Sequence, residues 1–169
     1  MGKDYRIAII ENEIGSTSID TGVIADAGYS VTEMLSGCVC CTLIGQLVPA
    51  INKLVEDLAP QLIILESTGM ATPSSMRDNI VKYGGCPTRV AALVDASRWE
   101  KILRALSILL TNQVEPADVV CVNKCDLAND EQLAEVERTV REMNADAPIV
   151  YASALSPMDA TDLDAIAGD

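Results

Sequence analysis

Short apolar runs alternate along the chain with longer stretches in which apolar residues recur every three to four positions. The runs Tyr5–Ile10, Tyr29–Leu35, Gln61–Glu66, Arg89–Val94, Asp118–Asn123 and Pro148–Tyr151 are read as strands. Several are nearly continuous in Ile, Val, Leu and Ala, the composition of strands covered on both faces. Over Gly45–Leu58 the spacing sets Leu47, Ile51, Leu54, Val55 and Leu58 on one helical stripe. Over Asp130–Met143 it turns Leu133, Val136, Val140 and Met143 inward, and Asn129 with Gln132 has the form of a capping box. Ser74–Lys82 and Ser97–Leu110 are also predicted helical. The pattern predicts an α/β domain with a mainly parallel sheet flanked by helices, and a loose acidic tail over residues 158–169.

Composition narrows the class. The chain has 169 residues, suited to one domain, and is 49% apolar, enough for a full core. Aromatics are 3% with no Phe, so the core must be aliphatic. A net charge of −13 argues against a nucleic-acid or anionic-membrane partner. The excess is concentrated after Cys125, where eleven acidic residues face two basic ones, and it reads as a solvated face. With no long apolar segment and no signal-peptide pattern at the start, the expected location is the cytoplasm. The six cysteines are then expected as thiols, and the absence of His leaves thiolates and carboxylates as metal ligands.

In open parallel sheets ligands bind beyond the carboxyl ends of the strands, and three polar constellations fall there. The first is Asn123-Lys124-Cys125-Asp126. A carboxylate at Asp126 can accept from N1–H and the exocyclic amine of guanine, whereas adenine presents an acceptor in place of N1–H and is refused. Asn123 can bond the imidazole side of the base, and the Lys124 stem can cover its face. The second is Leu62-Ile63-Ile64-Leu65-Glu66-Ser67-Thr68-Gly69, where an acid ending a buried strand suits a Mg²⁺ ion and Gly69 lets its N–H approach a phosphate. Alternatively, Glu66 simply caps the strand's polar exit. The third is Gly37-Cys38-Val39-Cys40-Cys41-Thr42, ahead of the first strong helix. Its three thiols form a soft donor set for Zn²⁺ or a related ion, sharpened by the helix N-terminus. A Cys38/Cys41 redox pair and a plain small-residue turn are the alternatives.

In this order the motifs resemble those of the CobW/HypB/UreG family of P-loop GTPases, and within it the CobW-like metallochaperones. The resemblance runs from about Tyr5 to Pro157 and also takes in Ile10-Glu11-Asn12-Glu13-Ile14-Gly15, Glu66-Ser67-Thr68-Gly69-Met70-Ala71-Thr72-Pro73, Val94-Asp95-Ala96 and Ser153-Ala154-Leu155. It implies a P-loop NTPase-like fold and a GTP-dependent metallochaperone that delivers zinc, or another transition metal such as Co²⁺, to a client protein. The implied metal residues are Cys38, Cys40, Cys41 and Glu13. Glu66 is implied as the Mg²⁺-linked acid, with Gly69 beside it. The implied guanine-nucleotide residues are Asn123, Lys124 and Asp126, with Ser153 and Ala154 in a last loop whose backbone N–H reaches the guanine oxygen. Self-association is left open.

The family's phosphate loop, Gly-x-x-x-x-Gly-Lys-[Ser/Thr], does not occur in the sequence. The resemblance places that loop after a first strand in the middle of the sheet. Residues 1–157 are therefore expected to form a CobW-like domain lacking its first strand and phosphate loop, with open strand edges where that strand belongs. Hydrolysis does not follow from the residues present. The alternative function is a non-catalytic metal-binding or regulatory module.

Overall fold

In the computed structural model, which describes residues 6–11, 30–33, 42–67 and 72–168, each of the six apolar runs coincides with a strand, two of which extend one residue further, to Glu11 and Asp95. These are β1 (Ile7–Glu11), β2 (Ser30–Glu33), β3 (Leu62–Glu66), β4 (Ala91–Asp95), β5 (Val119–Asn123) and β6 (Ile149–Tyr151). The described α-helices are α1 (Thr42–Leu58), α2 (Pro73–Asn79), α3 (Trp99–Val114), α4 (Asp130–Met143) and α5 (Ala160–Ala167). Every pairing among the described strands is parallel. The strands form two three-stranded sheets, β2-β1-β3 and β4-β5-β6, within two compact units. Thus β3 ends one sheet and β4 ends the other.

The first unit takes in residues 1–71 and 78–87. In its sheet Ile10 and Ala8 of the central strand β1 are fully buried. On α1 the buried stripe is Leu47, Ile51 and Leu54, while Val55 and Leu58, expected on it, remain exposed. The helix ends at Ala59, whose N–H reaches Val55 O at 3.1 Å and whose φ of 42° reverses the chain ahead of Pro60. Arg6 locks that turn. Its guanidinium donates to Ala59 O from Nε at 3.0 Å and Nη2 at 2.8 Å, and its backbone N–H donates to Gln61 Oε1 at 2.7 Å. After α2 the chain widens into a π-helical turn over Ile80–Gly84, closed by Gly85 in the left-handed region at φ 65°.

The second unit takes in residues 72–77 and 88–169. Its core is valine-rich: Val94, Val120, Val122, Val136, Val140 and Val114 pack with Trp99 and small alanines, as the lack of Phe requires. The strand β5 is buried from Val119 to Val122. The capping box opens α4 as expected, with Gln132 N–H donating to Asn129 Oδ1 at 2.9 Å and Asn129 N–H to Gln132 Oε1 at 3.0 Å. The stretch expected as a loose acidic tail is instead largely the helix α5. Asp159 caps its start by accepting from Asp162 N–H at 2.8 Å, and the Arg89 guanidinium donates to Ala165 O at 2.7 Å. Local capping, the Arg89 anchor and packing against β5 hold this acidic stretch in a helix.

Candidate functional site

Parallel pairing brings the carboxyl ends of β4, β5 and β6 to one side of the second unit's sheet. Asp95 and Asn123, the last residues of β4 and β5, are register partners. Beyond Asn123 the chain turns sharply. Lys124 adopts the left-handed conformation (φ 61°, ψ 35°), which costs a residue with a Cβ about 1–2 kcal/mol. Two bonds hold it there: Lys124 N–H donates to Asn123 Oδ1 at 2.8 Å, and Leu127 N–H donates to Lys124 O at 3.0 Å across the 3₁₀ turn Cys125–Leu127. The Cys125 thiol donates back to Val122 O at 3.0 Å.

The loop after β6 is stitched to this turn. Ala152 N–H donates to Val122 O at 2.8 Å, and Cys125 N–H donates to Ala152 O at 3.1 Å. Ser153 then makes a tight turn, its hydroxyl accepting from Leu155 N–H at 3.2 Å and its carbonyl accepting from Ser156 N–H at 3.0 Å. The five residues Asn123, Lys124, Asp126, Ser153 and Ala154 therefore belong to two contacting loops.

What these loops leave unpaired decides their chemistry. The Asp126 carboxylate is exposed and accepts no hydrogen bond from a described residue, and neither Asn123 Nδ2 nor Ala154 N–H has a described partner. One acceptor-only group and two donors at adjoining loops can match a base edge that offers donors and acceptors in complementary order. Beside them stand exposed apolar side chains, Leu127 at 64% and Leu155 at 85% exposure, of the kind that lies against a planar ring.

Lys124 reaches sideways to the end of β4, where its ammonium bonds Asp95 Oδ2 at 2.7 Å. Asp95 Oδ1 accepts from Ser97 N–H at 3.1 Å and from the Ser97 hydroxyl at 2.6 Å. Burial raises the Asp95 pKa, but the hydrogen bonds from Lys124 and Ser97 and the Lys124 charge outweigh it and hold the carboxyl below its ordinary range. On β5, burial pushes the Cys121 thiol up, helped by the nearby Cys125 and Asp162. That marks Cys121 as a core group and not a reactive thiolate.

Glu66 lies in the first unit, exposed at the carboxyl end of β3 and in register with Glu11 of β1. Gly69, Glu13, Cys38, Cys40 and Cys41 lie outside the described residues. Among the described residues no group of three or more Cys, Asp or Glu is placed to hold a metal ion, and no helix is long and apolar enough to cross a membrane.

The family model "CobW/HypB/UreG, nucleotide-binding domain" matches residues 1–151. The chain belongs to that family. Among CobW/HypB/UreG relatives, the zinc chaperone YjiA of Escherichia coli is 31% identical over 86% of this chain and 48% of its own length. A zinc-regulated GTPase metalloprotein activator 1 of Dictyostelium discoideum is 26% identical over 86% of this chain and 39% of its own. The chain thus spans about two fifths to a half of these curated relatives. Solved CobW/HypB/UreG structures share the fold. The Zn(II)-bound YjiA GTPase of E. coli superposes with a TM-score of 0.65 at 22% identity, covering 95% of this chain and 52% of that one. HypB of Helicobacter pylori in complex with nickel gives 0.63 at 15%, covering 96% and 72%.

The expected α/β class with parallel strands and flanking helices is thereby borne out, and HypB and YjiA share this fold. In the sequence Asp95 stands out only as part of the stretch Val94-Asp95-Ala96. Its bond to Lys124 is new, and its place at a strand's carboxyl end is the signal that could have found it.

Proposed function

We propose that this chain is the nucleotide-binding part of a GTP-dependent metallochaperone. Guanine is read by Asp126 through N1–H and the exocyclic amine, by Asn123 on the imidazole side, and by the Ala154 N–H, set by the Ser153 turn, at the carbonyl oxygen. Lys124 lies along the base face. The observation that carries this reading is the Asp126 carboxylate beside two donors, none with a partner among the described residues, with membership of a family whose relatives are named zinc chaperones and zinc-regulated GTPase metalloprotein activators as support. Glu66, with Gly69 close behind in sequence, is assigned to the Mg²⁺ that accompanies GTP, since a carboxylate ending a strand is a hard oxygen donor. When bound, that ion would neutralise phosphate charge.

The metal cargo, zinc or another transition metal such as Co²⁺, is assigned to Cys38, Cys40 and Cys41 with Glu13. Their donor set is soft and suits those ions. The receiving partner is a client metalloprotein, and a cytoplasmic location fits thiols kept reduced.

A second reading, a metal-binding or regulatory module without turnover, is favoured by one feature. No Gly-x-x-x-x-Gly-Lys-[Ser/Thr] occurs in these residues to cradle a triphosphate. Calorimetric titration of the chain with GTP·Mg²⁺ and ATP·Mg²⁺, before and after one equivalent of Zn²⁺, separates the two. Binding of GTP but not ATP supports the first reading. Uptake of Zn²⁺ with neither nucleotide bound supports the second, and failure to take up Zn²⁺ removes both.

A further inference from the structure

We propose that Asp95 is a positioning residue for base recognition, anchoring the Lys124 ammonium so that the lysine stem stands as a fixed wall beside Asn123 and Asp126. The inference rests on the guanine reading above. A surface lysine samples many rotamers, and a base that had to order one would lose affinity to that entropy. Here the ordering is done before any ligand arrives. The parallel register sets the ends of β4 and β5 side by side, and the ammonium of Lys124 meets Asp95 Oδ2 at 2.7 Å. The anchor is itself anchored. Its other oxygen is taken by the backbone and hydroxyl of Ser97, which fixes the carboxylate's rotation and leaves Oδ2 facing the lysine. Three residues from two strand ends, Ser97, Asp95 and Lys124, thus form one chain of contacts that ends at the reading loop.

A plain structural role, capping the 3₁₀ turn Ala96–Arg98, is the competing explanation for Asp95. Asp95→Asn separates the two, because an amide oxygen still accepts from Ser97 while the amide nitrogen repels the ammonium. In the full chain, Asp95→Asn is expected to weaken GTP binding about tenfold, while the preference for GTP over ATP persists because Asp126 still reads the base edge. The thermal midpoint should stay near wild type. Asp95→Glu, which keeps a carboxylate able to reach Lys124, should recover part of the loss.

Wild-type affinity in Asp95→Asn would overturn the proposal. So would a loss of GTP binding that tracks a lowered thermal midpoint and is not recovered by Asp95→Glu. A wild-type chain that binds no guanine nucleotide would instead overturn the guanine reading and base positioning with it. The ion pair can then be examined on its own by NMR titration of the Asp95 carboxyl carbon. In Lys124→Gln that titration should move upward, and an unmoved titration would show that no anchor exists.

Discussion

The indole N–H of Trp99 donates to the hydroxyl of Thr139 at 2.6 Å, joining the start of α3 to the middle of α4 in the core of the second unit. Both side chains are almost fully enclosed, at 2% and 3% exposure. The Thr139 hydroxyl also lies 2.8 Å from Glu135 O and 3.1 Å from Val136 O, so it accepts from the indole while donating within its own helix. Thr139→Val keeps the shape but strands a buried N–H, and should destabilise the protein by about 1–3 kcal/mol. Thr139→Ser should be milder. Trp99 is the single tryptophan, so its fluorescence during denaturant unfolding reads the change directly. Equal midpoints for wild type and Thr139→Val would show that the hydrogen bond contributes nothing.

Asp126→Asn replaces an acceptor-only carboxylate by an amide that both donates and accepts. Guanine, which offers two donors on that edge, should lose at least tenfold in affinity. Xanthine, with a carbonyl in place of the exocyclic amine, should gain. Competition between GDP and xanthosine diphosphate on wild type and variant measures the reversal, and unchanged guanine preference would remove Asp126 from the base edge.

Much of this was readable from the residues, for identifiable reasons. The strand β5 was legible because its apolar run Val119-Val120-Cys121-Val122 is enclosed, β4 because apolar residues fill it although they alternate between buried and exposed, and the α4 cap because Asn129 and Gln132 act over three residues. The helix α5 was hidden by its acidity. Besides its local Asp159 cap it is held by Arg89, seventy-six positions away from Ala165, a contact no local pattern encodes. Asn123, Lys124 and Asp126 were legible as a contiguous motif, whereas the Asp95–Lys124 bond spans twenty-nine positions and required the β4–β5 register to be known.

Asn144 ties the turn after α4 to the end of α3. Its Nδ2 lies 2.9 Å from Val114 O, 3.1 Å from Glu115 O and 2.9 Å from Ala117 O, and its Oδ1 accepts from Ala147 N–H at 3.0 Å. Asn144→Asp is nearly isosteric yet sets a carboxylate oxygen against three carbonyls. It should therefore cost at least as much stability as Asn144→Ala, about 1–3 kcal/mol. Chemical denaturation of both variants checks the order, and an Asp variant as stable as wild type would contradict it.

Two shifted groups bound the pH range. Asp95 is held below its ordinary carboxylate value in the folded protein, so its contribution is present above the unfolded pKa and fades as pH falls through the folded one. Burial, with the Glu137 carboxylate accepting from the phenol at 2.9 Å, raises Tyr151 to about 12. That contribution is full below the ordinary tyrosine value and is lost as pH rises through about 12. Asp95→Asn should flatten the acid limb of a stability–pH profile only slightly, since the lysine of its ion pair is half exposed and the pair adds little stability, and Tyr151→Phe should flatten the alkaline limb. Limbs unchanged in both variants would refute the assignment.

The Asn123–Asp126 loop hangs from β5, the middle strand of its sheet, paired on both sides and sealed from Val119 to Val122. Amide protons of such a strand exchange with solvent only when the whole unit opens, so the loop's root is as slow to open as the unit itself. A ligand arriving there meets a loop whose root and backbone turn are already set. Little ordering entropy is then left to oppose binding, and selectivity at this end of the sheet becomes a property of the resting molecule rather than of a fit acquired on contact.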